Sequence, residues 1–381
     1  MVLFVISVWV LALGTRGSEL SQRSALAEIV QERTLRFQTD FLLSQVGAPP
    51  ETQEVSESED EDASDVFSGQ SETLTATIFG SSTKQRQKMQ DPAYFAMVLQ
   101  GMHKLAQKER WLVPCSSLEL IPEAILGSGS FGVVILGKLQ GAAVAVKVPV
   151  AGSAARRFQS LMAELRVFRR LRHQNIVHFH GACVDVDRQE VVLVEELVEG
   201  PTLKDAHDSS LPKEVWRYIL LGICTAMRHI HNLTPVVVHG DIKPDNVLVD
   251  SRTLMPKLVD FGLARIIQGR IPGLGGSVRY AAPDVHLRQK PSPASDIFSF
   301  GRLAYFVVTG EKPMQEHSAR ALALLTEEGI SPELRWKTQT PIQQQQQQQQ
   351  HLPYQHHCKE LCSECCVFDP ELRPTARDVH I

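Results

Sequence analysis

The chain has 381 residues, a formal net charge of −4 and an apolar fraction of 43%. That length supplies one large or two smaller domains at ~100–200 residues each. The near-neutral balance gives no global positive field, so neither nucleic acid nor an anionic membrane surface is expected as a partner.

From the N-terminus, Val2 to Leu13 is apolar except for Ser7. Such a run is too short to span a bilayer and has the length of a signal-peptide h-region, yet no Lys or Arg precedes it. A leader over residues 1–17 and a short buried segment both stay open. No other segment approaches transmembrane length, so no integral span is expected. An extension over residues 18–110 follows. Within it, Leu26, Ile29, Val30, Leu35, Phe37, Phe41 and Leu42 recur at roughly helical spacing, which predicts an amphipathic helix over residues 24–46. Glu51, Glu54, Glu57, Glu59, Asp60, Glu61, Asp62 and Asp65 then form an acidic run with no basic residue until Lys84. Self-repulsion and few apolar residues make this a disordered, solvated spacer. Asp91-Pro92 opens a further helix, with Asp91 as N-cap and Tyr94, Met97, Val98, Met102 and Leu105 as its apolar stripe.

From Leu118 the pattern changes. Residues 135–139, 143–148 and 191–194 read as strands, whereas 154–171, 213–231 and 295–309 read as helices. Strands first and helices later predict an α+β fold with a β-rich lobe followed by a helical one. The tract Gln343–Gln350 cannot bury apolar surface and is expected as a surface loop. Seven cysteines scattered over this length do not make a disulfide scaffold, and a reducing compartment is the expectation. Cys358, Cys362, Cys365 and Cys366, with His356 and His357, have zinc-ligand chemistry. Leu361, Val367 and Phe368 nevertheless fit the apolar face of a core helix there, which is the favoured reading.

Gly127-Ser128-Gly129-Ser130-Phe131-Gly132 is a glycine-rich loop whose backbone N–H groups can approach phosphate oxygens. A dinucleotide-binding loop would open into a helix; here a β-branched run follows, so the loop joins two strands. Lys147 then closes an apolar strand at an offset suited to reach phosphates, and Glu164, the only acid between Lys147 and Asp185, is its candidate carboxylate partner. His239-Gly240-Asp241-Ile242-Lys243-Pro244-Asp245-Asn246 sets a carboxylate and an amide five residues apart across a proline-containing loop. Asp241 can accept the proton of an attacking hydroxyl, Lys243 can place positive charge on a transferred phosphoryl group, and Asn246 can ligate a metal. Asp260-Phe261-Gly262 adds a second hard oxygen ligand of the kind Mg²⁺ prefers.

Taken in this order and spacing, residues 118–381 resemble a eukaryotic protein kinase domain. Further matches are His173-Gln174-Asn175, Ala282-Pro283-Asp284, Ser295-Asp296 through Gly301, and Arg373-Pro374. The resemblance implies a bilobal fold using ATP and Mg²⁺, with Lys147 paired to Glu164, Asp241 as catalytic base, and Asn246 and Asp260 holding the metal. It also implies that Val134, Ala145 and Leu248 sandwich adenine and that Glu196 and Val198 form the hinge. Lys243-Pro244, and Ser277 bridging Asp241 and Lys243, resemble serine/threonine kinases; the stretch Trp111–Pro114 resembles the tyrosine-kinase-like group. Protein serine or threonine hydroxyls are the implied acceptors, and the need for ATP implies the cytoplasm. A pseudokinase scaffold that binds ATP and signals through protein contacts is the other reading, against which the intact five polar residues weigh. Three departures stand out. Gly240 replaces the arginine that a phosphorylated activation loop would neutralise, so activity without such phosphorylation is expected. Asp284 replaces a glutamate. Glu195 stands behind the adenine position, where a carboxylate is unusual and would alter inhibitor access.

Overall fold

A computed structural model describes residues 91–129, 132–149, 161–162, 164–207, 213–266, 277–287, 289, 291–336 and 352–379. The apolar leader, the helix expected over 24–46, the acidic run, Ser130, Phe131, the start of the 154–171 helix and the glutamine tract lie outside the described residues. The chain divides into two compact units, Met1–Leu161 with His180–Leu197, and Met162–Phe179 with Val198–Ile381.

The first unit is built on strands β1 (Leu118–Gly129), β2 (Gly132–Leu139), β3 (Ala142–Val148), β4 (Phe179–Asp185) and β5 (Glu190–Glu196), ordered β1-β2-β3-β5-β4. Three of these were expected. β4, Phe-His-Gly-Ala-Cys-Val-Asp, was not, because it has a single β-branched residue, Val184, and carries Gly181 inside it. Alternation along the strands divides the sheet's two faces. Val133, Ile135, Val144, Val146, Val148, Val192 and Val194 point into one apolar core.

Ahead of the sheet, helix α1 (Pro92–Lys108) starts as expected: Ala93 N–H donates to Asp91 Oδ1 at 3.0 Å. Its apolar stripe is rotated from the expected one. Phe95, Val98, Leu99, Met102, Leu105 and Ala106 are buried, while Met97 is half exposed. The set at i, i+3, i+4 and i+7 centred on Leu99 and Met102 is the wider apolar face, and Met97 falls at its edge. Past α1 the chain runs parallel to β4: Val113 N–H donates to Ala182 O and Ala182 N–H to Trp111 O, both at 2.9 Å. Gly181 permits this approach, since a Cβ there would lie 2.3 Å from Trp111 O. The same alignment brings Cys115 and Cys183 to a Cα separation of 5.3 Å, and the two are disulfide-bonded. The bond departs from the expectation of a reducing compartment, in which both would be thiols. Sixty-eight residues separate the pair in sequence, and only the docking of residues 111–113 on β4 brings them together.

The second unit is mainly helical, with α2 (Leu203–His207), α3 (Lys213–His231), α4 (Pro283–His286), α5 (Pro293–Thr309), α6 (Ala319–Glu327) and α7 (Leu352–Cys365). Two small antiparallel pairs accompany them: β6 (Val237–Val238) with β9 (Arg265–Ile266), and β7 (Val247–Val249) with β8 (Pro256–Leu258). α5 is buried from Ser295 to Val307 and is closed by a Ser292–Ser295 capping box and a left-handed Gly310. α7 packs on it through cysteines. The thiols of Cys358, Cys362 and Cys366 donate to the carbonyls of Ala304, Gly301 and Phe298 at 3.8, 3.2 and 3.8 Å. Gly301 makes room, because a Cβ there would meet the Cys365 Cβ at 2.6 Å. Burial pushes the Cys366 thiol up to about 11 and raises Cys365 as well. Cys365 and Cys366 are therefore protonated packing groups rather than thiolate ligands.

Candidate active site

In the first unit, Gly129 and Gly132 pair at the tip of the β1–β2 hairpin, so the glycine-rich loop is a strand-to-strand turn. Gly132 has φ +151°, and a Cβ there would lie 2.5 Å from Val148 O. Only glycine lets the returning strand pass so close to β3. The β2–β3 register sets Val134 opposite Lys147 and Leu136 opposite Ala145; β3–β5 sets Lys147 opposite Leu193, Ala145 opposite Glu195 and Val144 opposite Glu196. Directly opposed residues share a face. Val134, Ala145, Lys147, Leu193 and Glu195 therefore lie together on the face away from the valine core, with Lys147 and Glu195 both buried.

In the second unit, Glu164 is buried within the helical residues 164–168, which an exposed helix acid would not be. Val198 opens this unit's later portion, and Leu248 sits in β7 bridged to Thr202. The loop 239–246 is held by one carboxylate. Asp296, 1% exposed on α5, accepts from the N–H groups of His239 (2.8 Å) and Gly240 (2.9 Å) and contacts His231 Nε2 at 2.9 Å. Two backbone donors and one imidazole on a buried carboxylate make a satisfied polar centre. The His239 ring continues the scaffold: Asp241 N–H donates to its Nδ1 at 3.2 Å, which leaves Nε2–H to donate to Val259 O at 3.1 Å. Its edge rests on Phe261, which is fully buried.

On this scaffold Asp241 gathers the polar groups. Its Oδ2 accepts from Lys243 Nζ (2.5 Å) and Asn246 Nδ2 (3.0 Å), and its Oδ1 from the Ser277 N–H (3.2 Å). Lys243 Nζ also donates to Ser277 Oγ at 3.0 Å. Ser277 thus bridges the two as expected in position, but it reaches Asp241 through its backbone N–H rather than its hydroxyl. The Asn246 NH₂ is further committed to Asp241 O at 2.8 Å, so its Oδ1 is the atom presented to a cation. The β7–β8 pairing carries Asp260 to the same place: Val259 N–H donates to Asn246 O at 3.0 Å. Asp260 itself is left-handed, φ +61°, a conformation that costs a non-glycine residue energy and clusters at functional sites. Two contacts were not foreseen: His231 on Asp296, and the surface ion pair of Lys204 with Asp245 at 3.0 Å. The motif around Asp296 was visible in sequence, but nothing there tied it to the N–H groups of the loop. Farther off, Arg373 meets Asp284 at 2.8 Å in a fully buried pair and donates to three backbone carbonyls, so the shorter acid still reaches its arginine.

A strand-borne glycine turn with its lysine, and an Asp–Lys–Asn loop beside an Asp-Phe-Gly, are the parts of phosphoryl-transfer machinery of the kinase type. Residues 121–380 match the family model described as "Protein kinase domain", and the chain belongs to that family. Among curated proteins it is 29% identical over 287 residues to "Serine/threonine-protein kinase VIK" of Arabidopsis thaliana, covering 72% of this chain and 62% of the relative. It is 34% identical over 205 residues to "L-type lectin-domain containing receptor kinase VI.2" of the same plant, covering 50% of this chain and 29% of the relative. It is 28% identical over 269 residues to "Mitogen-activated protein kinase kinase kinase 7" of Bos taurus, covering 68% of this chain and 42% of the relative. The chain thus spans less than two thirds of the length of these relatives. No helix among the described residues is long and apolar enough to cross a membrane.

Proposed function

We propose that the chain is a protein serine/threonine kinase, transferring the γ-phosphoryl group of ATP to protein hydroxyls in signalling. The observation that carries this reading is the cluster around Asp241, in which Lys243, Asn246 and Ser277 hold one carboxylate in place. Asp241 accepts the proton of the attacking hydroxyl, and Lys243 offsets charge growing on the transferred group. To the nucleotide we assign residues 127–132, Lys147 and Glu164 for the phosphates, Val134, Ala145 and Leu248 for the adenine, and Glu196 and Val198 for the hinge. The oxygens of Asn246 and Asp260 fit Mg²⁺, which takes hard oxygen ligands in small number beside phosphates. Asn246 and Asp260 would hold the ion, which would supply positive charge to offset that of the phosphates. Lys243 and Ser277, together with the serine/threonine kinase names of the relatives, support serine and threonine as acceptors. We place the kinase domain at residues 118–381, behind an extension over 18–110, and its work in the cytoplasm, where ATP is available. The test is phosphotransfer to a peptide array by the full chain beside Asp241→Asn, with phosphoamino acid analysis. Loss of the base is expected to lower the rate by ~10²–10⁴ while MgATP still binds. Equal rates in both proteins would overturn the reading.

A further inference from the structure

The face of β3 and β5 that carries Lys147 also carries a second ionisable group. Lys147 is opposite Leu193, and Glu195 lies two residues on along β5, opposite Ala145. Lys147 and Glu195 are therefore diagonal neighbours on one face of an antiparallel pair, a separation of ~7–8 Å between backbones that two long side chains span. The groups around them on this face are apolar: Val134, Leu136, Ala145 and Leu193. The other lysine on it, Lys138, is at the far end of β2, half exposed and paired with Glu119. Both Lys147 and Glu195 are buried, at 7% and 9% exposure. A buried carboxylate is costly without a positive counterpart, and among the described residues of these strands the buried cation on this face is the lysine that the proposed kinase needs for phosphate.

We propose that Glu195 is a counter-charge to Lys147 that competes with the nucleotide's phosphates and so holds the affinity for MgATP down. This rests on the kinase reading above. Glu195 is a positioning residue and not a catalytic one, because it acts through Lys147. The consequence is selective. A ligand with phosphates must share Lys147 with Glu195; a ligand without phosphates need not. Replacing the carboxylate by the isosteric amide removes this competition for the lysine without altering the packing volume.

The experiment measures binding of MgADP and of adenosine to the full chain by calorimetry, and separately the KM for MgATP and the kcat for a peptide. Wild type is compared with Glu195→Gln, Glu195→Met and Glu195→Asp. The expected result is MgADP affinity and KM improved about tenfold in the Gln and Met variants, with adenosine affinity and kcat unchanged. The Asp variant should stay near wild type, because the charge remains. Unchanged or weaker MgADP binding in Glu195→Gln would overturn the proposal, and so would an equal change for adenosine, which would instead assign Glu195 to the base. Failure of the kinase reading looks different: wild type and Asp241→Asn would then transfer phosphate equally, whatever the binding data for Glu195 variants.

Discussion

The loop 239–246 and the β3–β5 strand pair carry the groups we assign to phosphoryl transfer, and they are built on opposite principles. The loop has almost no regular structure of its own. Its backbone is fixed from outside by Asp296, and its side chains by one another. The strand pair is fixed by its ladder, and its side chains are placed by register. In the loop, removing one acceptor strands several buried donors at once. On the strands, a side chain can be exchanged at little cost, whereas the backbone positions at the glycines cannot. The loop should therefore break at its acceptor, and the strands at their glycines.

Beyond the loss expected at Asp241, the largest effect should fall on the loop's anchor. Asp296→Ala leaves the His239 and Gly240 donors unsatisfied, and breaking such a buried polar centre costs ~3–5 kcal/mol. Thermal unfolding should show a clearly lowered midpoint, and amide exchange at Gly240 should accelerate. A wild-type midpoint in that variant would mean that the loop is not held as described. Next in size is the tie between residues 111–113 and β4. Reducing the Cys115–Cys183 bond, or replacing Cys183 by Ser, should remove ~2–4 kcal/mol of stability, read as a fall in the denaturant midpoint on adding a dithiol reductant. An unchanged midpoint would show that the backbone hydrogen bonds alone hold the segment.

Smaller again is the backbone limit on the strands. Gly132→Ala forces a Cβ against Val148 O, and strain of this kind costs ~1–3 kcal/mol. We expect a modest loss of stability and a raised KM for MgATP, against the lowered KM expected of Glu195→Gln on the same sheet. The two variants together separate backbone geometry from side-chain charge. The smallest expected effect is none. Gly240, at φ +79°, gives its N–H to Asp296 and has no side chain to meet an activation-loop phosphate. Phosphatase treatment should leave the rate unchanged, and a loss of activity would show that another group receives the phosphate.

Motifs that depend on neighbours along the chain were legible in the sequence. Asp241, Lys243 and Asn246 fall within six residues, and their cluster could be read before any fold was known. The helix start at Asp91-Pro92 was equally local. What escaped was contact between distant segments: the strand β4, the rotation of the α1 stripe, the docking of residues 111–113, and His231 on Asp296. The cysteines show both sides. Those of α7 followed the spacing of a core helix, whereas the 115–183 pair had no local signal.

Short-range spacing and side-chain chemistry were enough to pick out the glycine-rich turn, the residues we assign as base and metal ligands, and the order of strands before helices. That Glu195 shares a face with Lys147, and that one carboxylate on α5 anchors the loop 239–246, came from the fold alone. The reason is that pairing register and helix docking join residues far apart in the chain, and a slip of one residue in a strand would turn each side chain to the opposite face.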